Sequence, residues 1–235
     1  MLLSLPCALI LALTFCTIAS TAQSLIPTKF GLKLGVNYAN LNINPVEGIK
    51  PTDNSAQIGI AAGVCVHIAL SDKWFINPEV LYSQKGASFN YSFTDDYPVN
   101  QRDVYATTNK VVLSYVELNP TVSYKASDKL ALNFGPSVSF LIGDEYTYTQ
   151  DPKTATIATH GLTGGILKAE SLDVGLNLGV SYFLTEQFFV DTRVYTGFME
   201  VATATQSYEE FPTADPAPEY SLKNKAIVLS LGYLF

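Results

Sequence analysis

The sequence predicts an all-β fold, an eight-stranded antiparallel up-and-down transmembrane β-barrel. Three observations predict it. Apolar residues alternate with small or polar ones at period two, glycines keep to the polar register, and short connections alternate with long ones. Of the 235 residues, 48% are hydrophobic and 15% are charged. Yet no run of roughly 18 apolar residues follows residue 22, so no transmembrane helix is expected.

Residues 1–22 are expected to be a signal peptide, and residues 23–235 the barrel domain. The leader has no charged side chain and ends in Ser20-Thr21-Ala22, small residues at both positions that a signal peptidase reads. A lipoprotein reading would use Cys16, but Phe15 before it is too bulky. Cleavage after Ala22 removes Cys7 and Cys16 and leaves Cys65 alone, so no internal disulfide is possible.

The first strand is predicted over 29–41, where Phe30, Leu32, Leu34, Val36 and Tyr38 alternate with Gly31, Lys33, Gly35, Asn37 and Ala39. The second, 57–70, sets Ile58, Ile60, Val64 and Val66 against Gly59, Gly63, Cys65 and His67. The third and fourth, 74–86 and 111–125, carry Glu79, Lys85, Glu117 and Lys125 on the polar register. The fifth, 130–143, sets Leu132, Phe134 and Phe140 against Asn133, Ser137 and Ser139. The sixth, seventh and eighth are 171–184, 188–198 and 225–235, with Asp173, Asp191 and Arg193 on the polar side. Ten of the fifteen glycines fall on that polar register, and Gly86 sits at the end of the third strand. A face so poor in charge and rich in Gly and Ala suits a crowded lumen rather than water, while the apolar face suits lipid.

The links Ser71-Asp72-Lys73, Ala126-Ser127-Asp128-Lys129 and Thr185-Glu186-Gln187 are short; those over 42–56, 87–110, 144–170 and 199–224 are long. Periplasmic turns and longer extracellular loops alternate in this way, which puts the protein in the bacterial outer membrane with both termini periplasmic. An even strand count leaves no edge unpaired in lipid. Pro78, Pro120 and Pro136 fall inside predicted strands, where bulges are expected because each lacks a ladder donor. Aromatic residues such as Trp74, Tyr124 and Phe188 fall where interfacial belts belong. Leu231, Tyr233 and Phe235 end the chain in an alternating pattern like the signal read by the barrel assembly machinery.

The segments Pro78–Gly86, Tyr115-Val116-Glu117-Leu118 and Asp173–Gly179 resemble the porin-like, PorT-type outer-membrane β-barrel family common in Bacteroidota, of OmpA/OmpX-like eight-stranded architecture. The resemblance covers essentially the whole mature chain. It implies an integral outer-membrane barrel, some members of which assist protein secretion. Asn119 departs from the family pattern as an apparent extra residue before Pro120, which predicts a register shift or bulge.

The lumen register gathers Lys33, His67, Glu79, Lys85, Glu117, Lys125, Asp173, Asp191 and Arg193. An eight-stranded interior is just wide enough for side chains, so these charges are expected to pair as a structural polar plug, with Arg193 reaching toward Glu79 and Glu117. His67 near the periplasmic end and His160 in a loop do not make a hydrolytic triad, and Gly161–Gly165 is no phosphate loop. No catalytic, cofactor or metal residue is assigned. The four loops, counted as 42–56, 87–109, 144–170 and 203–222, carry 13 acidic and 4 basic residues, or −9; the remainder carries 8 and 10, or +2. Loop four, with Glu209, Glu210, Asp215 and Glu219, has no base. Expected partners are outer-membrane lipid and lipopolysaccharide, the assembly machinery, and a protein at the loops; a formal charge of −7 argues against nucleic acid. The expected function is a non-enzymatic barrel with a structural or binding role, the alternative a narrow transport or secretion-accessory barrel.

Overall fold

Each alternating stretch forms a strand whose small or polar register faces a common interior. The structure, a computed structural model, describes residues 28–45, 53–95, 103–150, 166–205 and 219–235. Its strands are β1 (Thr28–Pro45), β2 (Asp53–Ala69), β3 (Trp74–Asp95), β4 (Asp103–Lys125), β5 (Leu130–Gln150), β6 (Ile166–Ala169), β7 (Leu172–Phe183), β8 (Phe188–Gly197), β9 (Ala202–Thr205) and β10 (Glu219–Leu234). Eight of them close the ring in the order β1-β2-β3-β4-β5-β7-β8-β10, with β10 returning to β1, every pair antiparallel. The remaining two, β6 and β9, pair with each other, and β9 lies along β10 beyond the end of β8. Hence β6–β7 and β8–β9 are two strand lines, each broken once. Hydrogen bonds from Glu170 N to Val201 O and from Val201 N to Leu222 O, both 2.8 Å, stitch the breaks.

The three short turns and the chain ends Thr28 and Phe235 gather at one end of the ring, the turn end; the other is the loop end. From the turn end upward, the outer face is a continuous apolar belt: Leu34 is 65% exposed and Ile58 79%, whereas Lys33, next to Leu34 but on the inner face, is 4%. Trp74 on Tyr124 (5.0 Å between ring centroids) and Phe188 on Tyr233 (4.8 Å) rim the belt at the turn end.

Toward the loop end the pattern inverts. Inward positions become apolar (Leu41, Ala87, Phe89, Val111, Leu113, Leu222), all buried, while outward Asn42, Thr108, Lys110 and Glu145 are exposed. For this reason the strands outrun their predicted bounds. Residues 87–95 and 103–110, expected as loop, continue β3 and β4 in unbroken register, and β5 runs to Gln150. Gly86 accordingly lies well inside β3, not at its end.

The expected bulges also fall elsewhere. Pro78 stands opposite Pro120 with no change of register, and Pro136 opposite Leu176 likewise. Instead, pairing lapses beside the prolines, between Cys65 and Ile68 on β2 and between Leu118 and Val122 on β4, with equal lengths skipped on both strands. A missing donor thus opens a ladder locally without adding a residue. Asn119 is not an extra residue: it faces Glu79 in regular register and points inward, 1% exposed. The real shifts lie toward the loop end, between Ala56 and Ala61 on β2 and between Ser114 and Tyr115 on β4, opposite Ile142.

Candidate functional site

The lumen brings together most of the polar residues singled out from the sequence, and it does so in layers. At the turn end, Cys65, Phe189 and Leu234 form a small apolar cluster. Beside it His67 shares a 2.7 Å hydrogen bond with Asn77 Oδ1 and stacks on Phe75 at 4.5 Å. From there a hydrogen-bonded chain runs around the wall. Asn77 donates to Ser123 Oγ, Ser123 to Asn133 Oδ1 (2.6 Å), Asn133 to Ser181 Oγ (2.7 Å) and Ser181 to Asp191 Oδ2 (2.9 Å). It crosses β2, β3, β4, β5, β7 and β8, locking small side chains on neighbouring strands in one rotamer each.

Against this chain sits a quartet of charges. Lys33 Nζ lies 2.9 Å from Glu79 and 3.0 Å from Asp191; Arg193 forks to Glu79 at 2.7 and 3.0 Å and to Asp191 at 2.7 Å. All four are buried, so each ion is compensated in the low-dielectric interior that would otherwise penalise it heavily. A cavity of about 30 Å³ between the quartet and the turn-end cluster has room for a single water.

Nearer the loop end stands a second group. Lys85 Nζ is 2.6 Å from Glu117 and lies 3.5 Å over the Tyr195 ring, a cation–π contact. Asp173 Oδ2 accepts from Tyr195 Oη (2.7 Å) and Asn224 Nδ2 (2.8 Å), and Asn224 Nδ2 also reaches Tyr115 Oη at 3.1 Å. The predicted set therefore divides in two: Arg193 meets Glu79, but Glu117 belongs to Lys85. Lys125 is apart from both, paired with Asp128 at the exposed turn (3.0 Å). Over the second group closes the apolar cap of Leu41, Phe89, Val111, Leu113, Val201 and Leu222, each at most 1% exposed.

Sequence reasoning placed Asn37, Tyr115 and Asn133 on the inward register without joining them to the network, and it missed the cap, Tyr195 and Asn224. Parity with Arg193 was the signal for Tyr195, whereas Asn224 fell in a stretch read as loop. The carboxy-terminal residues Leu231 (52% exposed), Tyr233 and Phe235 face outward on or just past β10. Residues 1–22, His160, Gly161–Gly165, Glu209, Glu210 and Asp215 lie outside the described residues.

A closed ring of eight antiparallel strand lines, apolar outside and polar within, defines an integral β-barrel of the outer-membrane class. The chain belongs to the outer membrane protein beta-barrel domain family, which matches residues 21–202. It is similar to the outer membrane protein OprG from Pseudomonas aeruginosa, at 13% identity and a TM-score of 0.46, covering 89% of this chain and 97% of that one. It is similar too to AlkL, solved in DMPC lipid bilayers (10% identity, TM-score 0.41, 87% and 90% covered). A third is the E. coli Outer Membrane Protein W (15% identity, TM-score 0.34, 88% and 97% covered). No curated protein sequence matches the chain.

Proposed function

We propose that this outer-membrane barrel is non-enzymatic and non-conducting, with a structural lumen and a binding surface at its loop end. The observation that carries this reading is closure of the lumen in series, by the Lys33–Glu79–Asp191–Arg193 quartet, the Lys85–Glu117 pair and the apolar cap. A pore needs a continuous wetted path, and buried ion pairs under a dry plug leave none. In planar bilayers the purified barrel should give no stable single-channel steps. Stable steps would sink the proposal and make it the narrow transport or secretion-accessory barrel instead.

In this reading the turn end and both termini are periplasmic, and the loop end is extracellular, because short turns belong on the periplasmic side. Exposed Asp53, Asp144, Glu145, Glu170 and Glu200 then stand outside the cell, an acidic surface suited to cations bridging lipopolysaccharide or to a basic protein partner. Residues 1–22 act as the leader, and outward-facing Leu231, Tyr233 and Phe235 are read by the assembly machinery. The PorT-type resemblance fits the same placement. Crosslinking in native membranes should capture partners through loop-end positions and not through the turns.

A further inference from the structure

The lysines inside the barrel are paired with carboxylates, and two on its outside are not. Lys33 and Lys85 make buried ion pairs, whereas Lys223 and Lys225 of β10 make none among the described residues. Both stand on the outer face. Leu222, Asn224 and Ala226, which alternate with them, are buried, while Lys225 is exposed and Lys223 half-buried.

Their height on the wall is set by the belt beneath them. Up this outer column Tyr233, Leu231, Leu229 and Ile227 give way to Lys225 and Lys223. Lys225 is ten residues from Phe235, about 26 Å at ~3.4 Å per residue and a tilt of about 40°, where the ~25 Å apolar band of such barrels ends. On β1 the change comes at the same level. Exposed Tyr38 faces Ile227, and then Asn40 and Asn42 face Lys225 and Lys223. An outward tyrosine followed by amides and ammonium groups marks the headgroup layer. Cross-strand neighbours stand about 5 Å apart and alternate residues of one strand about 7 Å, so the four side chains form one compact patch. Asn40 Oδ1 accepts from Leu41 N at 2.7 Å, which leaves its Nδ2 to donate to a ligand. On the other flank, between Thr196 facing Lys225 and Ala202 facing Leu222, the β8–β9 line has five residues (197–201) where β10 has two (223 and 224). The line therefore bulges, and exposed Phe198 and Met199 form an apolar shoulder beside the lysines. Glu200, exposed in the same bulge, makes an ion pair with neither lysine among the described residues.

We propose that Lys223, Lys225, Asn40 and Asn42 bind a phosphate group of lipid A, the glycolipid anchor of lipopolysaccharide, with its acyl chains lying down the Ile227–Leu231 column. The assignment rests on the reading that places the loop end outside the cell, where the outer leaflet supplies that lipid. A phosphate group is anionic and presents acceptor oxygens, which both ammonium groups and the carboxamides can satisfy with donors. Two like charges about 7 Å apart at the edge of a low-dielectric medium repel, and an anion between them removes that cost. Elsewhere the loop end presents Asp53, Glu145 and Glu170, which need a bridging cation to meet the same lipid. The lysine patch meets it directly.

The test uses the full mature barrel, folded in detergent micelles and mixed with lipid A for native mass spectrometry. The wild type should retain one lipid A at least tenfold more tightly than dephosphorylated lipid A or phosphatidylglycerol. Excess inorganic phosphate should not displace it. The double variant Lys223→Gln with Lys225→Gln, checked for heat-modifiable migration, should lose that preference, and Lys110→Gln, at an exposed lysine of β4, should keep it. If the double variant does not fold, the two single variants and the wild-type selectivity decide. Equal retention of either comparison lipid, undiminished preference in the lysine variants, or displacement by inorganic phosphate overturns the site. Orientation is read separately, by labelling Thr108→Cys in intact cells with a membrane-impermeant maleimide, which should succeed. Labelling without a lipid preference overturns the patch alone. A lipid preference without labelling overturns lipid A as the occupant together with the outward placement of the loop end.

Discussion

At Glu79 three ionic contacts converge, one from Lys33 Nζ to Oε1 and two from the Arg193 fork, and all the groups that make them are buried. Removing one partner of such a group strands the others. Glu79→Ala should therefore cost about 3–5 kcal/mol in urea unfolding from micelles, because two buried cations would share only Asp191. Asp128→Ala, which breaks the solvent-exposed contact with Lys125, should leave the same curve unchanged. Gly86 sets a second, steric condition. Its φ of +158° is rarely adopted by other residues, and a Cβ there would sit 2.0 Å from the Val111 carbonyl oxygen. We predict that Gly86→Ala lowers the heat-modification midpoint or abolishes the folded band. At Gly143 the nearest atom to an added Cβ is 3.9 Å away, so Gly143→Ala should behave as wild type.

The strands show where sequence could be read and where it could not. Lys33, Cys65, Glu79 and Asp191 were assigned to the interior by parity alone, because a lipid face and a packed lumen demand opposite chemistry on alternate residues. Parity cannot say which inward residues meet across the barrel. Arg193 and Glu79 are 114 positions apart in sequence, and strand tilt and stagger, not pattern, bring them together. It also fails where the contrast reverses. Ala87, Phe89, Val111 and Leu113 turn apolar side chains inward while Thr108 and Lys110 stand outward, so the stretch reads as loop although the ladder is continuous. The cap built there behaves as an ordinary hydrophobic core. Phe89→Ala should cost about 3–5 kcal/mol by urea unfolding, as large cavities do. Prolines mislead differently: a lost donor predicts an inserted residue, yet Pro78 and Pro120 pair across the strands and only the neighbouring ladders lapse.

For the molecule as a whole, the reversal marks where lipid ends. On β3 the outward apolar run goes from Trp74 to Tyr82 and gives way to Gln84, about ten residues. At about 3.4 Å per residue and a tilt near 40°, that spans about 26 Å, close to the ~25 Å apolar band of such barrels. Arginine in place of Leu34, within the band, should cost about 2–4 kcal/mol in bilayer refolding. Thr108→Arg, beyond it, should cost nothing measurable, and spin labels at the two positions should report lipid and water respectively. The same arithmetic gives β3, with its 22 residues, an axial length of about 57 Å. Roughly half of the β3–β4 hairpin therefore stands clear of the bilayer on its own dry core. In the orientation proposed above, a partner bound at the far end of the paired β3 and β4 strands would be held well clear of the lipid by a continuous two-stranded ladder.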